Sequence, residues 1–154
     1  MISLSRSEKA IFTNMCMVEN SDGQILVQDR KSLDWPGLTF PGGHVERNES
    51  FHDAVVREVW EETGLTIKNP VLCGIKQFQT QSDERYIVLF YRTNSYTGEL
   101  VSSDEGKVFW VDQKELYSLQ TSLDFLEMYR IFVSPNLSEF YYESFNDDWN
   151  MKIF

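Results

Sequence analysis

The stretch that decides the fold is Gly43-His-Val-Glu-Arg-Asn-Glu49-Ser-Phe-His-Asp-Ala-Val-Val-Arg57-Glu58-Val-Trp-Glu61-Glu62-Thr-Gly64-Leu65. Ser50 is a suitable N-terminal cap, and Asp53 follows it three residues later in an arrangement close to a capping box. Gly64 stands where a C′ glycine ends a helix. These signals predict one helix from Ser50 to Gly64.

Three carboxylates of this predicted helix share one side. At about 100° per residue, with Glu58 placed at the origin, Glu62 lies at about 40° and Glu61 at about 300°, so an arc of about 100° holds all three. Like charges at these spacings repel each other and destabilise an isolated helix. Divalent hard cations, which take oxygen ligands, are the obvious source of compensation. Arg57 lies one turn before Glu61, where it can pair with that carboxylate and orient it.

Two neighbouring features decide between a metal seat and a solvated acidic face, which is the commoner explanation of a Glu-x-x-Glu-Glu helix. The pair Gly42–Gly43 lies just upstream, where the backbone can approach a ligand or metal closely. A further carboxylate, Glu49, lies at the start of the helix. Both features favour the metal seat. The flank that packs on a sheet consists of three valines, Val55, Val56 and Val59.

The rest of the chain has the signals of strands and one more helix, without an internal repeat. Residues 10–18 and 24–29 are predicted to be strands, joined as a hairpin by the turn residues between them. Residues 31–39 are predicted to be an irregular loop. Further predicted elements are strands at 71–80, 85–94 and 107–111 and a helix at 122–133. One mixed α/β layered domain covering residues 1–154 is therefore expected.

Composition and charge narrow the class of protein. The chain has 154 residues, 42% of them hydrophobic and 14% aromatic, with a formal net charge of −10. This length suits a single domain with a sizeable core. The acidity argues against a polynucleotide partner, because affinity for nucleic acid backbones depends on Lys and Arg. No membrane association is expected, since the longest apolar runs are about six residues and a span needs about twenty.

The ends of the chain and its cysteines bear on location and assembly. Met1–Lys9 has no apolar signal-peptide core, so export is not expected. Cys16 and Cys73 are too few for a disulfide scaffold or a zinc cluster, and a cytoplasmic location is expected. The tail is expected to pack, either in cis or in a homodimer surface, through its aromatic residues Phe140, Tyr141, Tyr142, Phe145, Trp149 and Phe154.

The quoted stretch resembles the Nudix box, G-x5-E-x7-R-E-U-x-E-E-x-G-U with U an aliphatic residue, at every fixed position. The matching residues are Gly43, Glu49, Arg57, Glu58, Val59, Glu61, Glu62, Gly64 and Leu65. The resemblance implies an α/β (α+β) fold of the Nudix type, an α/β/α sandwich with a mixed β-sheet in which the box forms a catalytic loop-helix-loop. It also implies metal-dependent hydrolysis of a nucleoside diphosphate linked to another group.

The resemblance further implies a cofactor and its ligands. Mg2+ is the expected cofactor, with Mn2+ as an alternative. Glu58, Glu61 and Glu62 are expected to ligate metal, with the backbone carbonyl of Gly42 as a further ligand. Metals that bridge the oxygens of a polyphosphate neutralise its charge and lower the pKa of bound water.

Other residues receive structural or catalytic roles from the same resemblance. Arg57 is expected to hold the glutamates in place. The structural positions of the motif are Gly43, Glu49 and Gly64. Two candidates for the general base stay open: Glu58, and Glu105 in the loop before the strand at 107–111, which is also a candidate metal ligand.

The flanks of the box resemble the MutT-like branch of the family, which includes 8-oxo-dGTP diphosphatases. The segments that carry this resemblance are 40–46, 105–106, 110–111 and a helix that starts near Leu123. In that branch, water attacks one phosphorus of a nucleoside triphosphate and gives a monophosphate and pyrophosphate. Candidate substrate residues are Arg30 for phosphate, Phe40 and Phe78 for base stacking, and Gln120 and Asp124 for hydrogen bonds to base edges.

Three alternatives stay open. Another Nudix substrate, such as ADP-ribose or a dinucleoside polyphosphate, uses the same box, because the box determines the diphosphate chemistry and not the base. RNA 5′-end pyrophosphohydrolase activity is disfavoured by the net charge of −10. A nucleotide sensor without turnover is the alternative from a different class, but degenerate domains of that kind normally lose box glutamates, and this chain keeps them all.

Overall fold

The centre of the fold is a five-stranded mixed sheet in the computed structural model, which describes residues 5–145 and 148–154. Its strands, in spatial order, are β1 (Lys9–Val18), β6 (Glu84–Thr93), β5 (Val71–Gln79), β9 (Glu139–Phe145) and β10 (Asp148–Ile153). The β1–β6 and β5–β9 pairs are parallel, whereas the β5–β6 and β9–β10 pairs are antiparallel. The predicted mixed sheet is therefore confirmed.

Two smaller sheets complete the strand pairing. The strand β2 (Ile25–Arg30) lies between β3 (Gly37–Thr39) and β8 (Gly106–Val111), and both pairs are antiparallel. The strand β4 (Thr66–Lys68) pairs with β7 (Ser95–Thr97). Because β3 ends just before the Gly42–Gly43 pair, the small sheet that contains β2 delivers the loop that precedes the acidic helix.

The acidic helix α1 (Phe51–Thr63) begins and ends as its capping signals predict. The Ser50 side chain accepts a hydrogen bond of 2.9 Å from the backbone N–H of Asp53, which satisfies one of the free donors of the first turn. Gly64 adopts the left-handed conformation with φ of 78°, and its N–H donates to the carbonyl of Trp60. The predicted helix is confirmed at both ends.

The second helix, α2 (Phe125–Val133), packs on the opposite face of the sheet, and a 3-10 helix at Gln113–Ser118 precedes it. Alternate residues of β1 point to opposite faces, as the two-residue period of a strand requires. One buried cluster joins β1 to α1 and includes Cys16, Val18, Val55 and Val59. The other joins β1 to α2 and includes Met15, Met17, Phe125 and Phe132. These two cores form the predicted α/β/α layers.

The predicted hairpin between the first two strands is wrong. Only an isolated bridge joins Glu19 to Ile25, after which β1 pairs with β6 and β2 pairs with β3 and β8. Both strands have runs of consecutive buried residues, so both faces of each strand are covered, and the two strands belong to different sheets. A local turn signal at 20–24 does not contain this long-range information.

The aromatic tail packs in cis as the hairpin of β9 and β10, which extends the main sheet beyond β5. Phe140 is fully buried there. The side chain of Phe145 lies outside the described residues, as do residues 1–4 of the N-terminal stretch on which the export expectation rests. Strands β3, β4, β7, β9 and β10 have no counterpart among the sequence predictions. Within residues 5–145 and 148–154, no helix is long and apolar enough to cross a membrane.

A pair of glycine substitutions tests the helix end. Gly23 and Gly64 have nearly the same φ, 77° and 78°, but an added Cβ meets nothing within 4 Å at Gly23 and lies 2.6 Å from the carbonyl oxygen of Glu99 at Gly64. Gly23→Ala should lower the free energy of unfolding by about 1 kcal/mol, the cost of left-handed backbone in a residue with a Cβ. Gly64→Ala should lower it by about 1–3 kcal/mol more, because the added atom overpacks. Urea unfolding measures both, and equal losses would contradict the role assigned to the Glu99 contact.

Candidate active site

Arg57 is the hydrogen-bonding centre of the acidic helix. Its Nε and Nη2 atoms donate to the two carboxylate oxygens of Glu49 at 2.7 and 2.9 Å, which makes a bidentate pair. Its Nη1 atom donates to Glu58 at 2.9 Å and to Glu61 at 3.3 Å. Its Nη2 atom also donates to the backbone carbonyl of His44. One guanidinium therefore joins the loop before α1 to two carboxylates of the helix, including the predicted Arg57–Glu61 pair.

Glu49 is the residue that this arrangement holds most tightly. The hydrogen bonds from Arg57, followed by the one from the backbone N–H of Glu46, lower the pKa of Glu49 to about 2. The Glu49 side chain is only 16% exposed, and charge-assisted bidentate pairs are among the strongest hydrogen bonds in proteins. Glu49 and Arg57 therefore keep the loop and the helix together at neutral pH.

Glu62 is buried, with 7% of its surface exposed. Its Oε2 atom accepts from the backbone N–H of Gly42 at 3.0 Å and from Nε2 of Gln28 at 3.3 Å. Burial raises the pKa of Glu62 to about 7, the Gly42 hydrogen bond opposes that rise, and the charges of Glu58 and Glu105 add to it. Burial and repulsion by two other acids destabilise the charged form of Glu62, and a bound cation would stabilise that form.

The Gly42–Gly43 pair provides close approach between the loop, β1 and α1. A Cβ on Gly42 would lie 2.1 Å from the carbonyl oxygen of Asn14, and one on Gly43 would lie 2.3 Å from the carboxylate carbon of Glu58. The Asn14 N–H donates to the carbonyl of Gly43 at 2.8 Å, and the Gly43 N–H donates to Oδ1 of Asn14 at 3.0 Å. Only glycine leaves room for the Glu58 carboxylate against this backbone. Burial raises the pKa of Glu58, and its hydrogen bond with Arg57 opposes the rise.

A cavity of about 650 Å³ opens over these residues, a size typical of small-molecule sites. Its acidic part is lined by Gly42, Gly43, His44, Glu58, Glu61, Glu62 and Glu105. The remainder is lined by polar, cationic and apolar residues, among them Thr13, Asn14, Arg30, Trp35, Lys76, Phe78 and Tyr86. A seat for cations and a wall able to contact an organic group therefore share one cavity.

Three of the predicted residues outside the helix line the cavity with their side chains available. Glu105, in the loop before β8, is exposed, and its charge acts on Glu62. Arg30 places its guanidinium 5.4 Å from the ring centroid of Trp35. Phe78 stacks on Tyr86 with the ring centroids 5.2 Å apart.

Three other substrate predictions need correction. Phe40 is 2% exposed and packs edge-on against Phe125 and Phe132, so it is a core residue beneath the cavity and has no free face for a base. Gln120 does not line the cavity, because it follows the 3-10 helix and its carbonyl accepts from the N–H of Leu38. Asp124 does not line it either. Its carboxylate accepts a hydrogen bond from the hydroxyl of Tyr142 in the tail hairpin.

Sequence reasoning missed several residues that line the cavity, among them Asn14, Trp35, Lys76 and Tyr86. Two of them left a signal. Lys76 is two residues from Phe78 on one strand, so the two side chains share a face. Asn14 is a polar residue inside an otherwise apolar run, and such residues are buried only with a partner. Trp35 and Tyr86 left no signal, because a loop and a distant strand bring them to the cavity.

The chemistry of the donor set fits a hard divalent cation. The acidic part offers carboxylate oxygens, and the carbonyl of Gly42 accepts no hydrogen bond within the described part of the chain. In residues 5–145 and 148–154, no three His, Cys, Asp or Glu side chains converge on one point that could hold a metal ion. The reason is that Arg57 holds Glu58 and Glu61, while Gly42 and Gln28 hold Glu62. These are rotatable side chains, so a cation can replace their present partners.

Comparisons with known proteins agree with this geometry. The model of the NUDIX domain matches residues 12–130. A Bacillus subtilis protein, the uncharacterized Nudix hydrolase YvcI, is 35% identical over 109 residues, which are 68% of this chain and 67% of that protein. The 8-oxo-dGTP diphosphatase of Haemophilus influenzae is 34% identical over 65% of this chain and 74% of its own length. The ADP-ribose pyrophosphatase of Methanocaldococcus jannaschii is 34% identical over 56% of this chain and 52% of its own length.

A solved structure extends the likeness to the fold. The crystal structure of a MutT protein from Bacillus halodurans matches 93% of this chain and 97% of its own length, with a TM-score of 0.74 and 27% identity. The chain therefore belongs to the Nudix family. It is a Nudix pyrophosphohydrolase with the mixed α+β fold of MutT proteins. Nudix hydrolases act on small nucleotide substrates and generally use divalent metal ions.

The burial and repulsion of the Glu62 charge lead to a prediction about the melting temperature of the metal-free protein. Glu62→Gln keeps an acceptor for Gly42 and Gln28 but removes a buried, repelled charge, so it should raise the melting temperature in EDTA by about 2 °C or more. Glu61→Gln is the matched control, because Glu61 is 48% exposed, and it should change the melting temperature by about 1 °C or less. Circular dichroism measures both. A lower melting temperature for Glu62→Gln would contradict the repulsion described above.

Proposed function

We propose that the chain hydrolyses a nucleoside triphosphate to the monophosphate and pyrophosphate, with Mg2+ as cofactor and Mn2+ as an alternative. The observation that carries this proposal is the single cavity in which four glutamates face a wall with aromatic rings and two cations. A nucleoside triphosphate needs positive charge at its phosphates and a stacking surface at its base. The glutamates are able to hold metal cations, and Arg30 and aromatic rings line the rest of the cavity. A cytoplasmic location and a small-molecule substrate without polynucleotide are part of the proposal.

The metal ligands in this proposal are Glu58, Glu61, Glu62, Glu105 and the carbonyl of Gly42. Bound metal neutralises phosphate charge and lowers the pKa of water. Arg57 positions Glu58 and Glu61 through hydrogen bonds of 2.9 and 3.3 Å. Burial of Glu62 keeps its carboxylate away from bulk water. These contacts keep the carboxylates at one side of the cavity, and a bound cation would replace some of them with metal–oxygen bonds.

The substrate is held by the residues on the rest of the cavity wall. Arg30 is the proposed phosphate ligand, because its guanidinium acts electrostatically on Glu62 and also contacts Trp35, between the acidic and aromatic parts. Phe78, which stacks on Tyr86, is the proposed stacking residue for the base. An oxidised guanine nucleotide such as 8-oxo-dGTP is the particular substrate proposed, in line with the name of the Haemophilus influenzae relative.

Glu105 is the proposed general base. The alternative, Glu58, is packed against Gly43 and bound by Arg57, which leaves its carboxylate less free to accept a proton. Glu105 is exposed on a loop at the edge of the cavity, with its backbone held by Ser103 and by the N–H of Lys31. Its side chain can therefore approach a water molecule next to the phosphates.

The first test is turnover in the carboxylate variants. Glu61→Gln and Glu62→Gln each remove one charge from the proposed metal ligands and should lower kcat by about 100-fold or more, while circular dichroism shows an intact fold. The exposed acid Glu115 supplies the control, because Glu115→Gln should leave kcat unchanged. Pyrophosphate release from a panel of nucleotides with Mg2+ is the assay.

The panel also decides the substrate. Release of pyrophosphate from triphosphates, with 8-oxo-dGTP the best of them, is the expected result. Cleavage of ADP-ribose with intact triphosphates would overturn the triphosphate proposal and favour the activity named for the Methanocaldococcus jannaschii relative. Near-wild-type turnover in either carboxylate variant would overturn the metal-ligand assignment.

A second test separates the two candidates for the base. Glu105→Gln should lower kcat by about 100-fold, because loss of a general base costs about 10²–10⁴-fold. A loss of only a few-fold would leave Glu58 as the better candidate.

A further inference from the structure

Lys76 is the unexpected residue of the cavity wall. Its ammonium nitrogen lies 5.0 Å from the ring centroid of Tyr142 and 5.5 Å from those of Trp35 and Phe140. The ring centroid of Phe78 is 5.8 Å away. Four aromatic faces around one cation hold it in place by cation–π attraction. These contacts fix the long side chain of Lys76 at the part of the cavity that the aromatic rings line. Little further conformational entropy of this side chain would therefore be lost when a ligand binds.

No partner satisfies the hydrogen-bonding capacity of this cation. Within the described ranges, no carboxylate lies within ion-pair distance of Lys76 and no acceptor is hydrogen-bonded to it. The nearby carboxylate of Asp124 accepts from the Tyr142 hydroxyl instead. Burial lowers the pKa of Lys76 to about 8, against the charge of Asp124, so the side chain is largely protonated at pH 7.

Two other donors of the cavity are also without a partner. Nδ2 of Asn14 and Nε of Arg30 are buried and, among the residues that the structure describes, donate to no hydrogen-bond acceptor. Both residues line the cavity, and Trp35 contacts Arg30 on the one hand and Lys76 on the other. The wall beyond the glutamates therefore presents unpaired donors from Asn14 to Lys76. A ligand that fits it presents acceptors along the same path.

We propose that Lys76 determines base specificity by donating a hydrogen bond to a carbonyl oxygen of the base. The ammonium group is a donor without acceptor capacity, so it matches the O6 and N7 acceptors of a 6-oxopurine and opposes the amino group that adenine carries at the same place. The selected substrates are 6-oxopurine nucleotides. The inference rests on the proposed function, because it assigns the base of that same substrate.

The wild-type chain supplies a test that no folding defect can affect. The nucleotides dITP and dATP differ in the group at C6, which is an oxygen in dITP and an amino group in dATP. The expected kcat/KM is about 10-fold or more higher for dITP and for dGTP than for dATP, since a good base contact discriminates by at least that factor. Equal kcat/KM for dITP and dATP would overturn the proposal.

The variant Lys76→Met keeps the length of the side chain and removes the donor. It should lower kcat/KM for dITP and dGTP by about 10-fold, mainly through KM, and change the value for dATP by less than about 3-fold. Lys68→Met, at an exposed position of β4, is the control and should change none of these values. An equal loss on all three nucleotides would overturn the proposal, because it would mean that Lys76 contacts phosphate or supports the fold.

Binding of monophosphates separates this inference from the proposed function. Calorimetric titration should show tighter binding of dIMP than of dAMP to the wild-type chain, and the difference should vanish in Lys76→Met. If no triphosphate is hydrolysed but this preference is found, the proposed function fails and the role of Lys76 stands. If triphosphates are hydrolysed without any preference between the two bases, the proposed function stands and the role of Lys76 fails.

Discussion

The structure depends on one interaction, the bidentate pair between Arg57 and Glu49. Three carboxylates on one side of a helix repel each other, and the same guanidinium that holds Glu49 also binds Glu58 and Glu61. A single positive charge thereby offsets much of the repulsion and fixes the loop before α1 at the same time. Removal of that charge would free the loop and leave the acidic side of the helix without compensation.

The glycines and the buried acid add a second constraint. The backbone at Gly42 and Gly43 lies so close to Asn14 and Glu58 that no Cβ fits at either position. The same backbone donates to Glu62, which is otherwise shielded from water. The loop, β1 and α1 are therefore packed around carboxylates rather than around apolar groups. Such an arrangement lowers the stability of the metal-free protein, and a bound cation would offset the repulsion between the carboxylates.

Local signals in the sequence were enough for the acidic helix and for the family, but not for the whole sheet. The caps at Ser50 and Gly64 act within one turn, so the sequence predicts them correctly. The hairpin at 10–29 was a wrong prediction, because the partner of β1 lies more than 70 residues further along the chain, in β6. The tail strands were missed for the same reason, since their hairpin joins the sheet through β5, which pairs with β9 from more than 60 residues earlier in the chain.

The candidate site follows the same division. The residues of the box are near one another in sequence, and the structure brings them together as expected. The wall for the base combines a loop, two strands and the tail hairpin, so Trp35, Lys76 and Tyr86 were missed. The predictions that Phe40, Gln120 and Asp124 contact the base are wrong. For the aromatic residues, burial decides the outcome. An aromatic side chain becomes either core or cavity wall depending on what packs over it, and no local sequence pattern contains that information.

Direct binding of Mn2+ tests the central claim, that the carboxylates of α1 form a seat for a divalent cation. Electron paramagnetic resonance counts free Mn2+ during titration of the wild-type chain and of two triple variants with the same change in net charge. The site variant carries Glu58→Gln, Glu61→Gln and Glu62→Gln. The control carries Asp22→Asn, Glu99→Gln and Glu115→Gln, all at exposed positions. The wild type and the control should bind Mn2+ alike, and the site variant should lose binding. Equal binding by all three proteins would contradict this claim.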